Sequence, residues 1–148
     1  MRRHAPVGPA PVGLPATVMG LVALGGAAGC LARFALDLVA NWDALLGTGF
    51  PWPTLVINLT GCLLIGAVGG LIAGRPREAR WWALLVTGFL GGFTTFSAFA
   101  LETVVLADSG RLLAAAVYLS ATLVLGAMAV RLGALLAARY LIRRKRNT

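Results

Sequence analysis

The chain has 148 residues, of which 59% are hydrophobic and 12% charged, with a net charge of +8 and a mean hydropathy of +0.85. A soluble domain of this length has too little interior to hide that much apolar surface, so lipid is the implied solvent. The positive charge lies in short segments beside apolar runs, which argues against nucleic acid as a partner and for contact with membrane lipid.

Residues 1–15 include four prolines among Gly, Ala and Val, and predict a disordered N-terminal tail. Arg2 and Arg3 ahead of an apolar run, with Ala27-Ala28-Gly29-Cys30 further on, have the outline of a signal peptide and its cleavage site. Three more apolar runs follow, the first run is longer than a signal core, and no leucine stands three positions before Cys30. A retained first span is therefore the better reading. Spans are predicted at 16–40, 53–73, 81–107 and 112–138, each near or above the ~20 residues that a bilayer requires. The result is an all-α membrane protein with one four-helix domain over 16–138 and a basic C-terminal tail over 139–148. Trp42, Trp52, Trp81, Trp82 and Tyr140 fall at the predicted membrane edges, where amphipathic rings settle. The N-tail, the second loop and the C-tail share one side and carry ten basic residues. The other side carries Arg111 alone, and Arg33 and Arg131 lie within spans. That bias predicts both termini in the cytoplasm.

Span one holds Gly25 and Gly29, a small-residue face that admits a close neighbour, with Arg33 one turn further along it. An intramembrane Arg needs a partner or a watery vestibule. Asp37, four residues on, offers the first; an electropositive mouth for an anion path is the second. Span two places Thr54, Asn58 and Gly61 on one face, beside Cys62. Asn58 has donors enough to solvate an anion, but Asn is equally a common glue between membrane helices. Span three is interrupted by Gly91-Gly92-Phe93-Thr94-Thr95-Phe96-Ser97-Ala98-Phe99, in which adjacent glycines and hydroxyl residues weaken the helix at mid-membrane. Backbone groups freed there are tolerated only if buried in protein, lining water or binding an ion. Phe96, Phe99 and Glu102 recur at intervals of three, so two rings and one carboxyl share a stripe. The rings either fill core or present their positive edges to an anion. Span four lines up Tyr118, Thr122 and Gly126 at intervals of four. Cys30 and Cys62 read as small packing residues, and no nucleophile–base pair or metal cluster suggests an enzyme.

Gly88-Phe89-Leu90-Gly91-Gly92-Phe93-Thr94-Thr95-Phe96-Ser97-Ala98-Phe99 followed by Glu102, Thr54-Leu55-Val56-Ile57-Asn58 with Gly61, and Gly25-Gly26-Ala27-Ala28-Gly29 with Arg33 together resemble the Fluc (CrcB) family of fluoride channels. The resemblance covers nearly all of the chain beyond the N-tail. It implies an antiparallel dimer of four-span subunits with two fluoride pores, lined by Asn58, Phe96 and Phe99. Thr54, Tyr118 and Thr122 would form a polar track, and Arg33 would sit near an aqueous vestibule. It also implies a structural sodium ion at the dimer centre, held by backbone carbonyls of Gly91 and Thr94 from both subunits. Gly126 departs from the family pattern, which often has a hydroxyl residue there.

A self-paired antiparallel dimer requires insertion in both orientations and hence a weak charge bias. Ten basic residues against one instead predict a single orientation, and so a partner subunit that is an oppositely oriented homologue; a homodimer is the alternative. Two other classes compete with a fluoride channel. A small cation or drug exporter would favour an acidic residue deep in span one, which is lacking. A membrane scaffold subunit explains the glycine faces but not the Thr-Thr-Phe-Ser break.

Overall fold

The computed structural model describes residues 15–39, 49–75 and 77–147. Of the predicted features, nearly all of the N-terminal tail and much of the first loop, including Trp42, lie outside the described residues. Five helices follow one another: α1 (Ala16–Val39), α2 (Trp52–Ile72), α3 (residues 78–93), α4 (Phe96–Asp108) and α5 (Leu112–Arg146). Helices α1, α2 and α5 are each long and apolar enough to cross a membrane, and α3 with α4 makes the fourth crossing. Among the described residues there is no strand.

The helix limits follow local chemistry. Pro51 precedes α2 and Pro53 lies in its first turn, where a missing N–H costs nothing. Gly110 takes φ 79° in the turn between α4 and α5, and the Arg111 guanidinium donates to the Gly49 carbonyl at 2.7 Å, tying that turn to the start of α2. The basic stretch after residue 138 continues α5 as regular helix to Arg146. At a rise of ~1.5 Å per residue α5 is roughly 52 Å long, well beyond a hydrocarbon core of ~30 Å.

Two helix pairs are built on glycine. Along α1, an added Cβ at Gly25 would overlap the Leu84 carbonyl of α3, and one at Gly29 the Phe89 carbonyl; Gly92 of α3 meets Gly26 in the same way. Residue numbers rise together on both helices, so α1 and α3 run parallel. The Cys30 thiol donates to the Gly92 carbonyl at 3.5 Å across this seam. Helices α2 and α5 form the second parallel pair, where Gly66 touches Val130 and Gly133 touches Leu63 and Ala67 through backbone atoms. Without a hydrophobic drive in lipid, such backbone-to-backbone approach supplies the dispersion energy that holds membrane helices together. The pairs join where α2 crosses α3 in the opposite sense, Gly61 against Thr94 and Gly69 against Trp82. A small core at one end unites Leu55, Phe99, Leu106, Ala115 and Tyr118.

The third crossing departs from a plain helix twice. Trp82–Leu90 is wound in wider π-type turns, a feature with no sequence expectation behind it. The interruption falls at Thr94 and Thr95, which are both extended, while Gly91 and Gly92 remain helical. The hydroxyl residues, rather than the glycines, mark the break.

Replacing Gly133 with Leu should drive a side chain into the α2 backbone and lower stability by about 1–3 kcal/mol or more. Gly20→Leu, where an added Cβ meets nothing within 4 Å, should be neutral. Thermal unfolding of the two purified variants in detergent checks the contrast.

Candidate ion-permeation site at the helix break

Two consecutive extended residues at mid-membrane release backbone groups that lipid cannot satisfy. Asn58 answers for those of Thr95. Its Nδ2 donates to the Thr95 carbonyl at 3.0 Å, and its Oδ1 accepts from the Thr95 N–H at 2.9 Å. One amide side chain thus replaces a stretch of strand partner. Thr95 also caps α4, its Oγ1 accepting from the Ala98 N–H at 3.2 Å. Behind the break, the Leu90 carbonyl accepts from both the Thr94 N–H at 3.0 Å and the Thr94 hydroxyl at 2.9 Å. Asn58 therefore acts as interhelical glue, one of the two readings open from sequence, and keeps one Nδ2 hydrogen uncommitted.

Glu102 has a defined role that sequence left open. Its two carboxyl oxygens accept from the Thr54 hydroxyl at 2.7 Å and from the Tyr118 hydroxyl at 2.6 Å. Three helices, α2, α4 and α5, are thereby bound through one carboxyl. Tyr118 is fully buried, its ring 5.4 Å from Phe99 and 5.5 Å from Phe50 between centroids. The Thr122 hydroxyl is not a free donor either: it donates to the Tyr118 carbonyl at 2.8 Å.

A groove of about 320 Å³ lies beside the break. It is lined by Asn58, Cys62, Thr94, Thr95, Phe96, Phe99, Thr122 and Gly126, with four aliphatic residues, and none of its lining residues is charged. Phe99 forms its buried wall at 5% exposure and Phe96 its rim at 78%, the ring centroids 5.8 Å apart. The expected stripe is real, but only one of its rings is core. The structure brings Asn58, Phe96, Phe99 and Thr122 into one groove. Thr54 and Tyr118 belong to the Glu102 network next to it. Cys62 lines the groove opposite Gly126, where its small side chain packs.

Arg33 stands apart from these contacts. Among the described residues its Nε is buried without a hydrogen-bond partner, and the pairing with Asp37 considered from sequence does not form. Parallel packing of α1 and α3 carries Arg33 one turn past the Gly29–Phe93 contact, toward the break. Among the described residues no hydrogen bond reaches the carbonyl oxygens of Gly91 or Thr94. Uncommitted carbonyls beside a helix break are hard oxygen donors of the kind that can hold a small cation.

Thr95 is the hub that sequence reading passed over. A usable signal exists: a Thr preceding an apolar run, with the next turn starting at Phe96, is an ordinary N-cap pattern.

These features define a multi-pass membrane protein with a mid-membrane helix break closed by side-chain hydrogen bonds. The family model described as "CrcB-like protein, Camphor Resistance (CrcB)" matches residues 20–134, and the chain belongs to that family. It is 46% identical over 114 residues to the fluoride-specific ion channel FluC of Rhizobium etli (strain CIAT 652), covering 74% of this chain and 87% of the relative. Identity is 43% over 125 residues with the protein of that name from Nitrobacter winogradskyi, covering 82% and 92%. With that of Methylobacillus flagellatus it is 46% over 117 residues, covering 76% and 88%.

Asn58→Ala should leave the Thr95 N–H unpaired, at about 1–3 kcal/mol. Hydrogen exchange of the Thr95 amide should accelerate accordingly, while amides in the middle of α2 and α5 keep their protection.

Proposed function

We propose that the chain is a subunit of a fluoride-selective channel through which cytoplasmic fluoride leaves the cell passively, relieving fluoride toxicity. The observation that carries this reading is the uncharged groove at the break, where an amide, two phenyl rings and several hydroxyls converge. The shared family and the names of relatives at 43–46% identity point the same way.

Fluoride is small and strongly hydrated, so a path must replace its water with donors that do not hold it too tightly. Asn58 offers its remaining Nδ2 hydrogen while the other keeps the break in place. Phe96 and Phe99 offer ring edges, which carry partial positive charge. Thr122 and Tyr118 reach an anion only by turning their hydroxyls away from the Tyr118 carbonyl and from Glu102. Each ion contact there replaces an internal hydrogen bond of similar worth, so the net gain is small and the ion moves on. Thr54 supports the track through the same carboxyl. The unpartnered Arg33 raises the anion concentration near the break through its field, without entering the groove.

In liposomes containing the protein, a fluoride gradient should collapse without proton coupling while a chloride gradient persists. Phe96→Ile, Phe99→Ile and Asn58→Asp should each slow fluoride flux severely. The first two remove ring edges at similar volume, and the third turns a carboxylate oxygen on the Thr95 carbonyl. Equal chloride flux, or normal conduction by all three variants, defeats the reading.

The groove is open along Phe96, and in this reading a second subunit of opposite orientation closes it. Gly91 and Thr94 of the two subunits would then hold a structural sodium ion between them, where it would join the two breaks. The ten-to-one basic bias, which survives at five to one without the last five basic residues, supports a cytoplasmic position for both termini. The second subunit is therefore a homologue of opposite bias rather than another copy. Expressed alone, the chain should show single cysteines added at either terminus labelled from the cytoplasmic side only. The purified single chain should conduct no fluoride until the homologue is supplied. Equal labelling from both sides, with flux from the single chain, points to a homodimer instead.

A further inference from the structure

We infer that the cleft between the N-terminal halves of α1 and α3 is a binding site for one anionic phospholipid. The cleft has a volume of about 470 Å³ and lies far from the break, between Gly20 and Leu24 on α1 and Arg77, Arg80, Trp81 and Leu84 on the other side. Its two ends differ in chemistry. Arg77 and Arg80 stand at one end, and among the described residues no hydrogen bond or ion pair engages either guanidinium. Glu78, the single carboxylate between residues 74 and 84, already accepts from the Gly74 N–H at 2.7 Å. Arg77 adopts φ 63°, an uncommon backbone state for a residue with a side chain, at the residue that precedes α3. The other end is apolar, and Leu24 in it is 69% exposed. Trp81, 47% exposed, lies between the two ends, at the level where indole rings mark the lipid interface.

A phosphodiester matches the paired guanidiniums, and an acyl chain matches the trough above Gly20. A zwitterionic lipid would bring a second cation against the two arginines. The site owes nothing to the groove at the break and stands whether or not the chain conducts fluoride.

Native mass spectrometry of the full-length protein released from detergent tests this, with phosphatidylglycerol and phosphatidylcholine of the same acyl chains as probes. Retention of phosphatidylglycerol should exceed that of phosphatidylcholine, and Arg77→Gln with Arg80→Gln should reduce it by about thirtyfold, given roughly 1 kcal/mol for each basic residue at the head-group level. Arg143→Gln with Lys145→Gln, which removes the same charge from the end of α5, should leave it unchanged. Gly20→Phe fills the trough at a position with open space around it and should abolish retention of either lipid in a protein that stays folded. Equal retention of the two lipids, equal loss in the α5 control, or a change of subunit number in place of lipid load would overturn the site. The last outcome would mean that a second protein chain occupies the cleft.

Discussion

A peptide group that has left its helix inside a bilayer must find another partner, and the hydrogen bonds between Asn58 and Thr95 meet that requirement here. Without them the break would leave a backbone N–H with no partner inside the bilayer. The groove and the uncommitted carbonyls of Gly91 and Thr94 both follow from the break. Because the clasp uses both functions of one amide, the residue that makes the irregularity possible also stands at its surface, with one hydrogen to spare.

The second constraint is rigidity around that irregular point. Two parallel pairs, α1 with α3 and α2 with α5, are locked where glycines bring backbones into contact. Glu102 adds a polar fastening between α2, α4 and α5 that reaches through Thr54 and Tyr118. The break therefore lies between bodies that cannot easily shift, which suits a path whose distances must hold. Much of the outer surface remains apolar even so. In the most covered crossing, Trp52–Ile72, six of the 21 residues are buried within the chain and most of the others are half-buried.

The four crossings were legible because apolar length alone identifies them, and the glycine faces because a spacing of four is a helical repeat. The presence of a break was legible from Gly-Gly-Phe-Thr-Thr, but its location at Thr94–Thr95 was not, since propensity ranks glycine as the weaker helix former. Asn58 joins α2 to a residue 37 positions away, and no local pattern reports which backbone group a side chain will reach. The same holds for Glu102, whose partners lie 48 and 16 positions away. Tyr118, Thr122 and Gly126 were readable as one face of α5. Whether those hydroxyls point at a neighbour, a ligand or their own helix depends on side-chain rotation, which spacing does not encode. Arg33 was visible as an intramembrane cation, whereas its lack of a bond to Asp37 depends on how α1 packs against α3.

The length of α5 has a consequence for how its charges act. The apolar run of α5 ends near Ala138, with Tyr140 just beyond it, so Arg143, Arg144, Lys145 and Arg146 stand only about 7–12 Å further along the axis at ~1.5 Å per residue. Because helix rather than loose chain carries them, the four charges keep fixed positions around that axis. They form a rigid cationic end to the longest helix instead of a flexible basic tail.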